Sequence, residues 1–326
     1  MKKTCIVVVS VLLICALLFC ACETPTPNSN GNFETAPLNF ATGGTSGTYY
    51  TYGGAIAQTL NDNFDNLDIT IQSSGAFKAN IFLIDDDKAN LAIVGNDIAY
   101  YAYNGTGLFQ EDGAITSFSA IAALYPEICQ IVSTEKITSV GDLKGKRVSV
   151  GDSLSSVESN ARQILETYGI TFDDIAVLNL SFSDSIDALK SGKIDAFFCI
   201  TDAPATAISQ LIATNEMHIL AIDNEHAKKL IEAYPFYTQH TILADTYQGI
   251  DEDIATVAIQ ATLIASNDLS DEVVNSIVRG LFECQEELST SHEKGAELDP
   301  SYAVSGVSIP FHSGAKAYFT EVGILS

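Results

Sequence analysis

A glycine-rich loop with several hydroxyl groups is the segment of this sequence best suited to binding chemistry. Residues 42–50 read TGGTSGTYY and join a short apolar run to a stretch with helical spacing. Glycines let backbone N–H groups point outward and a helix start carries partial positive charge, so the loop can hold an anion without a basic side chain. The alternative is a tight turn in which a Ser or Thr caps the helix. The candidate binding residues here are Thr45, Ser46, Gly47, Thr48 and Tyr49.

Four further polar loops follow apolar, strand-like runs. Asn96 has an amide that can hydrogen-bond an amino or carboxyl group, and its neighbour Asp97 is expected to be a helix N-cap. In a sheet of parallel strands such loops meet at one edge, so we expect them to converge on one cleft. The other candidate residues in these loops are Ser73, Ser74, Ser153, Ser155, Ser156 and Asp202.

Several kinds of site are not indicated by the sequence. The loop at residues 42–50 fits neither GxGxxG nor a P-loop, and no GxSxG elbow supports a serine hydrolase. The five His lack HExxH spacing, and the acidic runs at 85–87 and 251–253 lack the pattern of a calcium loop. We therefore expect no catalytic residues, no metal and no cofactor.

The N-terminus has the pattern of an export signal. Lys2 and Lys3 precede an apolar run that ends at Cys22, and a small residue directly before that cysteine resembles a lipobox. We expect residues 1–21 to be a lipoprotein signal peptide, Cys22 to be lipidated and residues 22–36 to be a flexible tether. A plain cleaved signal or an uncleaved anchor is the alternative. The predicted location is extracytoplasmic, on the bacterial cell membrane.

Composition narrows the partners. Asp and Glu number 41 against 16 Lys and Arg, a formal charge of −25 that becomes −27 once Lys2 and Lys3 leave with the signal. Nucleic acid and anionic lipid both require clustered basic residues, so neither is an expected partner. Cys129 and Cys199 lie in apolar runs and are expected to be plain buried thiols.

Strand-like and helical segments alternate after the tether, which predicts an α/β fold with mostly parallel sheets. Two such units followed by a long C-terminal return favour a two-lobed protein with a ligand cleft between the lobes. The predicted division places residues 37–124 and 223–326 in lobe I and residues 125–222 in lobe II. Within this pattern, residues 119–124 form one short run and residues 271–288 one amphipathic helix.

A series of ordered blocks resembles the TAXI family, the extracytoplasmic solute receptors of one class of TRAP transporters. The resemblance covers nearly everything after the tether. The blocks lie at residues 41–50, 91–97, 123–127, 142–151, 192–198, 234–237 and 312–315.

This resemblance implies a clamshell of the type II periplasmic-binding-protein kind, expected to be a monomer, that delivers a small solute to a TRAP permease driven by an ion gradient. It favours organic acids or acidic amino acids such as glutamate. It also carries binding roles over to the first two loops, and it places Tyr125 near the lobe crossover, against the ligand. A receptor that feeds a sensor protein is the alternative, and a secreted hydrolase is a more distant one.

Two departures from the family pattern modify the expected ligand. The second-lobe loop at residues 153–156 lacks the family's glycines, and the segment at 202–204 lacks the glycine that commonly precedes its proline. Without these glycines the backbone cannot approach a ligand closely, and Asp202 places an acid near the cleft. An ammonium group would pair with Asp202, whereas a dicarboxylate would be repelled. We therefore expect an amino acid, acidic or its amide, in preference to a plain dicarboxylate.

Overall fold

The structure is a computed structural model that describes residues 37–325 except 46, 76 and 154. The predicted signal peptide, the predicted tether and Cys22, the expected lipidation site, lie outside the described residues, as does Ser46. None of the helices in the described part of the chain combines the length and the apolar character that crossing a membrane requires.

The alternation of strands and helices is confirmed. The strands are β1 (Leu38–Ala41), β2 (Ile69–Gln72), β3 (Leu91–Gly95), β4 (Phe118–Thr134), β5 (Arg147–Ser149), β6 (Ala176–Leu178), β7 (Ala196–Thr201), β8 (Met217–Ile219), β9 (Tyr237–Ile242) and β10 (Ile254–Ser266). The helices are α1 (Thr48–Asn63), α2 (Phe77–Asp85), α3 (Asn96–Asn104), α4 (Ser156–Thr167), α5 (Phe182–Lys190), α6 (Thr206–Thr214), α7 (Asn224–Ala233), α8 (Asp271–Glu283), α9 (Gln285–Ser291) and α10 (Ser313–Glu321).

The strands form one mixed sheet, which corrects the expectation of mostly parallel sheets. Its order is β2-β1-β3-β10-β4-β7-β5-β6, with β8 on β4 and β9 on β10. The pairs among β1, β2 and β3 and among β5, β6 and β7 are parallel. Every pair made by β4 or β10 is antiparallel. We call β1–β3 with their helices the first half, and β5–β7 with theirs the second half.

Two long strands join these halves. Strand β10 pairs with β3 at residues 261–265 and with β9 at residues 254–259, while β4 pairs with β10 along most of its length and then with β7 from Ile128 onward. The predicted strand at 119–124 is therefore only the first part of β4. The strand is longer because the run after Pro126 is also apolar and finds partners in β7 and β8.

Helix packing follows the apolar spacing of the sequence. Helix α8 buries Val274, Ile277, Val278 and Leu281, the i, i+3, i+4, i+7 pattern of a helix with one face in the core. Gly280 lets α1 approach closely, because a Cβ there would lie 2.2 Å from Leu60 Cδ2.

The predicted helix at 271–288 is two helices, since Cys284 has non-helical dihedrals, φ −102° and ψ 21°. His312 caps α10 by accepting a hydrogen bond from the Gly314 N–H, as its sequence position indicates. Cys129 and Cys199 are buried free thiols, also as expected.

Residues 224–242 pack with the second half. Strand β9 pairs with the first part of β10, and Ala227 and Leu230 of α7 share a buried cluster with Ile164 and Leu165 of α4. The chain therefore returns to the first half along β10.

Candidate functional site

Two adjoining cavities lie between the halves, at the level of the crossing strands. Their volumes are about 930 and 320 Å³. Phe77, Glu127 and Ile200 line both, so the two spaces meet at these side chains. The larger volume is near the upper end of the range typical of small-molecule sites.

The larger cavity is bounded by residues from both halves and from both crossing strands. Its lining comprises Phe77, Lys78, Gly95, Asp97, Ile98, Gly107, Leu108, Gln110, Glu111, Asp112, Glu127, Ser155, Ser156, Val157, Ile200 and Ile259. Six of these residues have large apolar side chains, and four of the five charged residues are acidic.

Glu127 is placed by β4, next to the register shift between β4 and β10. Its Oε2 accepts a hydrogen bond of 3.0 Å from the Tyr49 hydroxyl of α1. Burial raises the pKa of Glu127 to about 8, and the nearby Asp97 and Asp202 act in the same direction, whereas the Tyr49 hydrogen bond and Lys294 lower it. The positive charge near Glu127 is therefore too weak to offset the effect of burial on its pKa.

Asp97 lies in the first turn of α3, and the N-cap is Gly95, which corrects the predicted cap. Asp97 is 2 % exposed, its Oδ1 accepts a hydrogen bond from the Ile98 N–H, and its Oδ2 has no hydrogen-bond partner within the described chain. Burial raises the pKa of Asp97 to about 6, although the adjacent Ile98 N–H and the side chains of Ser156 and Asn160 lower it.

The two carboxylates share one small space beside Gly95. A Cβ built on Gly95 would lie 2.5 Å from Asp97 Oδ1 and 3.9 Å from Glu127 Oε2. Glycine is therefore required for this arrangement because any side chain would displace the Asp97 carboxylate.

The smaller cavity lies at the N-terminal end of α1. It is lined by Gly43, Gly44, Gly47, Thr48, Tyr49, Phe77, Tyr125, Glu127, Ile200, Thr201 and Asp202. The N-cap of α1 is Gly47, with no side-chain cap, so the alternative of a capping Ser or Thr is wrong for the described residues. Tyr125 is 1 % exposed, and its hydroxyl has no hydrogen-bond partner among the residues described.

Lys294 is a buried cation behind the smaller cavity. Its Nζ lies 2.6 Å from Asp202 Oδ1, 2.7 Å from Glu297 Oε1 and 4.8 Å from the centroid of the Tyr125 ring. Burial lowers the pKa of Lys294, but the hydrogen bonds with Asp202 and Glu297 outweigh this effect and raise it above its ordinary value. Asp202 is thus already paired with a cation.

The structure brings four of the five predicted loops to the cavities. Gly47, Thr48, Tyr49, Tyr125, Ser155, Ser156 and Asp202 line them. Ser155 also caps α4, accepting a hydrogen bond of 3.2 Å from the Glu158 N–H.

The other predicted residues lie away from the cavity walls. Ser73 and Ser74 donate hydrogen bonds to the carbonyl oxygens of Gly43 and Thr42, which fixes the glycine loop. Asn96 is fully buried, donates to the Gly306 carbonyl and accepts from the Ser308 N–H. Thr45 and Ser153 are exposed and are not among the lining residues.

Sequence reasoning missed Glu127 and Lys294 and gave Asp97 a different role. Glu127 lies directly after the Tyr125-Pro126 pair and could have been found as an acid inside an apolar strand. Lys294 lies in the Glu-rich segment at 286–297, where a lysine has no distinguishing signal.

Phe77 is a second missed feature. It is 51 % exposed, has a positive φ of 46° and stands where the two cavities meet. A left-handed backbone at an aromatic residue is unusual and is typical of sites held in place for binding.

Metal ligation has no support in the described part of the chain, where no group of three or more His, Cys, Asp or Glu side chains is placed to hold an ion. The free thiols Cys129 and Cys199 are buried, and burial raises the pKa of both.

Comparison with known proteins identifies the fold and the family. The structure is similar to the periplasmic aliphatic sulphonate binding protein SsuA from Escherichia coli, with a TM-score of 0.53 and 15 % identity over 87 % of this chain and 82 % of that one. It is also similar to a TctC solute binding protein from Polaromonas, with a TM-score of 0.54 and 13 % identity over 90 % of this chain and 100 % of that one. These similarities show a shared α/β periplasmic-binding-protein fold. The sequence pattern of the NMT1-like family matches residues 40–323, nearly the whole described chain, and the protein therefore belongs to the NMT1-like family.

Proposed function

We propose that this protein is an extracytoplasmic receptor that captures a small solute in the cleft between its halves and delivers it unchanged to a membrane permease. The observation that carries the proposal is the pair of cavities at the crossing strands, lined by loops of both halves. Proteins of this fold include ones named for binding sulphonates and other solutes, which supports the same role here.

The partner and the location remain part of the proposal. The sequence blocks that resemble the TAXI family favour a TRAP-type permease, and the lipobox-like pattern favours attachment of the chain to the membrane through Cys22. We propose two lobes that meet at β4 and β10, with the second boundary within β10 instead of at residue 223, because α7 and β9 pack on the second half.

We propose an amino acid as the class of solute. The N-terminal end of α1 and the Tyr125 hydroxyl suit a carboxylate in the smaller cavity. Asp202 was the expected partner of the ammonium group, but Lys294 already pairs with it, so the ammonium must be held elsewhere. The family resemblance favours glutamate-like solutes within this class.

Mass spectrometry of the solute released from the purified chain tests the proposal. The full chain is extracted from its membrane in detergent, denatured, and the small-molecule fraction is compared with that of a mock extract. We expect one amine-containing compound at up to one equivalent, and we expect incubation with folded protein to leave it unchanged. Chemical conversion of the compound by the folded protein would contradict the receptor function and indicate an enzyme.

A further inference from the structure

The carboxylates of Asp97 and Glu127 have no cation beside them in the larger cavity. The one basic side chain among its lining residues is Lys78, whose Nζ lies 2.5 Å from Asp112 Oδ2 and donates to the Leu108 carbonyl at 2.8 Å. Lys294 is committed to Asp202 and Glu297. Each cation near the cavity is therefore already paired with another acid.

Asp97 is the more informative of the two carboxylates. It is 2 % exposed and faces the cavity, yet its Oδ2 lacks a partner in the described chain. The Ile98 N–H and the side chains of Ser156 and Asn160 favour the ionised form of Asp97, but Oδ2 is buried without a partner, so a cation supplied from outside the chain would stabilise the carboxylate further.

The rest of the cavity suits an apolar body. Ile98, Leu108, Val157, Ile200 and Ile259 line it from α3, the turn that follows it, α4, β7 and β10. The half-exposed ring of Phe77 stands at the junction with the smaller cavity, where it can cover a bound solute.

An acidic side chain in this space would face like charges. Asp97, Glu111, Asp112 and Glu127 all line the cavity, and a further carboxylate would lie among them without a free cation. This arrangement opposes the glutamate-like solute that the family resemblance favours, and it narrows the proposed amino acids to those with an apolar side chain.

We infer that the solute is a protonated amine with an apolar body, whose ammonium group lies between the carboxylates of Asp97 and Glu127 and whose body lies against the apolar residues of the larger cavity. The inference rests on the proposed function and names its solute class. An amino acid with an apolar side chain and an amine without a carboxylate share this chemistry. The smaller cavity, which suits a carboxylate, favours the amino acid.

The test is isothermal titration of the full detergent-solubilised chain, freed of bound solute by unfolding and refolding. The titrants are L-phenylalanine, L-leucine, phenethylamine, L-glutamate and 3-phenylpropionate. We expect phenylalanine or leucine to bind at least tenfold more tightly than glutamate, and phenylpropionate not to bind. Phenethylamine binding as tightly as phenylalanine would show that the carboxylate is not recognised, while leaving the amine anchor supported.

Variants locate the ammonium group. We expect Asp97→Asn to weaken binding of the amine at least tenfold, since it removes one of two anionic partners. Asp187→Asn is the matched control, because Asp187 is exposed on α5 and lines neither cavity, and its variant should change affinity less than threefold.

A measurement on the unaltered chain guards against a variant that fails to fold. Binding of a cation requires Glu127 to be ionised, so binding near pH 7.5 should release protons, seen as a binding enthalpy that depends on the buffer. Lys294 stays protonated over this range. The titratable groups around Glu127 are Tyr49, Asp97, Tyr125, Cys129, Asp202, Lys294 and Tyr302.

The outcomes distinguish failure of the inferred solute class from failure of the receptor function. Glutamate binding as tightly as phenylalanine or leucine, phenylpropionate binding as tightly as phenylalanine, or an amine that binds without proton release would each overturn the inference and leave the receptor in place. A chain that binds no titrant yet releases a compound without an amine would also overturn it. A chain that neither binds nor releases any solute would overturn the proposed function itself.

Discussion

Lys294 Nζ lies 2.6 Å from Asp202 Oδ1 and so connects the two halves of the protein. Lys294 belongs to the 3₁₀ turn Glu293–Glu297, which follows α9, and Leu288 of that helix shares a buried cluster with α1. Asp202 follows the last residue of β7 in the second half. The pair lies directly behind the Tyr125 ring and therefore fixes one wall of the smaller cavity.

We predict that Lys294→Met lowers the free energy of unfolding by about 1–3 kcal/mol, since a nearly buried cation with two acidic partners is removed. The range is below that of a fully buried pair because Asp202 and Glu297 are 37 % and 38 % exposed. Urea denaturation of the solute-free chain measures the change.

The matched control for Lys294 is Lys229→Met. Lys229 pairs with Glu225 at 2.7 Å on the surface of α7, with the lysine side chain 51 % exposed. Its loss should change the free energy of unfolding by less than about 0.5 kcal/mol. Equal effects of the two variants would show that the Lys294 pair gains nothing from its burial.

The second prediction concerns the pH dependence of stability. Glu127 has an ordinary pKa of 4.5 and a pKa of about 8 in the folded, solute-free chain. Between these values the folded state holds a proton that the unfolded state has lost, so the free energy of unfolding falls as pH rises, by at most about 1.4 kcal/mol per pH unit. Above pH 8 this contribution no longer changes.

Glu127→Gln isolates the effect of that one group. The variant should be close to the unaltered chain in stability at pH 5 and more stable than it at pH 8.5, because the amide never has to be ionised. Denaturation curves at pH 5, 6.5 and 8.5 without solute measure the difference. A stability difference that is independent of pH would contradict the raised pKa.

A buried hydrogen-bond chain carries the third prediction. The Tyr237 hydroxyl donates to Asn160 Oδ1 at 2.5 Å or to Gln163 Oε1 at 2.7 Å, and Gln163 Nε2 donates to the Tyr101 hydroxyl. Tyr237→Phe leaves two buried acceptors without this donor and should cost about 1–3 kcal/mol of unfolding free energy.

Tyr50→Phe on the partly exposed face of α1 is the control for that experiment, with an expected change below about 0.5 kcal/mol. Because Tyr101 belongs to α3 and Gln163 to α4, Gln163→Leu should also lower stability. If neither Tyr237→Phe nor Gln163→Leu differs from the control, the hydrogen-bond chain does not stabilise the contact of α3 with α4.

Gly95 provides a test of the carboxylate arrangement that leaves all charges in place. Its φ of −64° is open to any residue, so Gly95→Ala should fold. The new Cβ would lie 2.5 Å from the present position of Asp97 Oδ1 and would therefore displace that carboxylate. We expect binding of an apolar amine to weaken at least tenfold in titration calorimetry. Gly54→Ala is the control, since its Cβ would make an ordinary contact of 3.5 Å with Ile71, and its affinity should be unchanged.

The sequence was sufficient for the elements whose pattern is local. Strand β3 coincides with a short apolar run between polar residues, a pattern with few alternatives, and α1 follows its apolar spacing. The extent of β4 was missed because Pro126 and Glu127 interrupt its apolar run, and only pairing with β10 and β7 keeps them in the strand.

The site was predicted at the level of loops and less well at the level of side chains. Strand ends indicate which loops converge, but hydrogen bonds that turn Ser73 and Asn96 away from the cleft depend on contacts with Gly43 and Gly306, which are distant in sequence. The pairing of Asp202 with Lys294 spans even more of the chain. Charge neutralisation of this kind is a tertiary property and has no local signature.

The position of β10 has a consequence for the order in which the molecule is assembled. Strand β10 lies between β3 and β4 at the centre of the sheet, yet it is the last strand to be synthesised. Until β10 is available to pair, β3 and β4 each lack their central neighbour and present an unpaired edge. The sheet, and with it the cleft, can therefore be completed only after almost the whole chain has been synthesised.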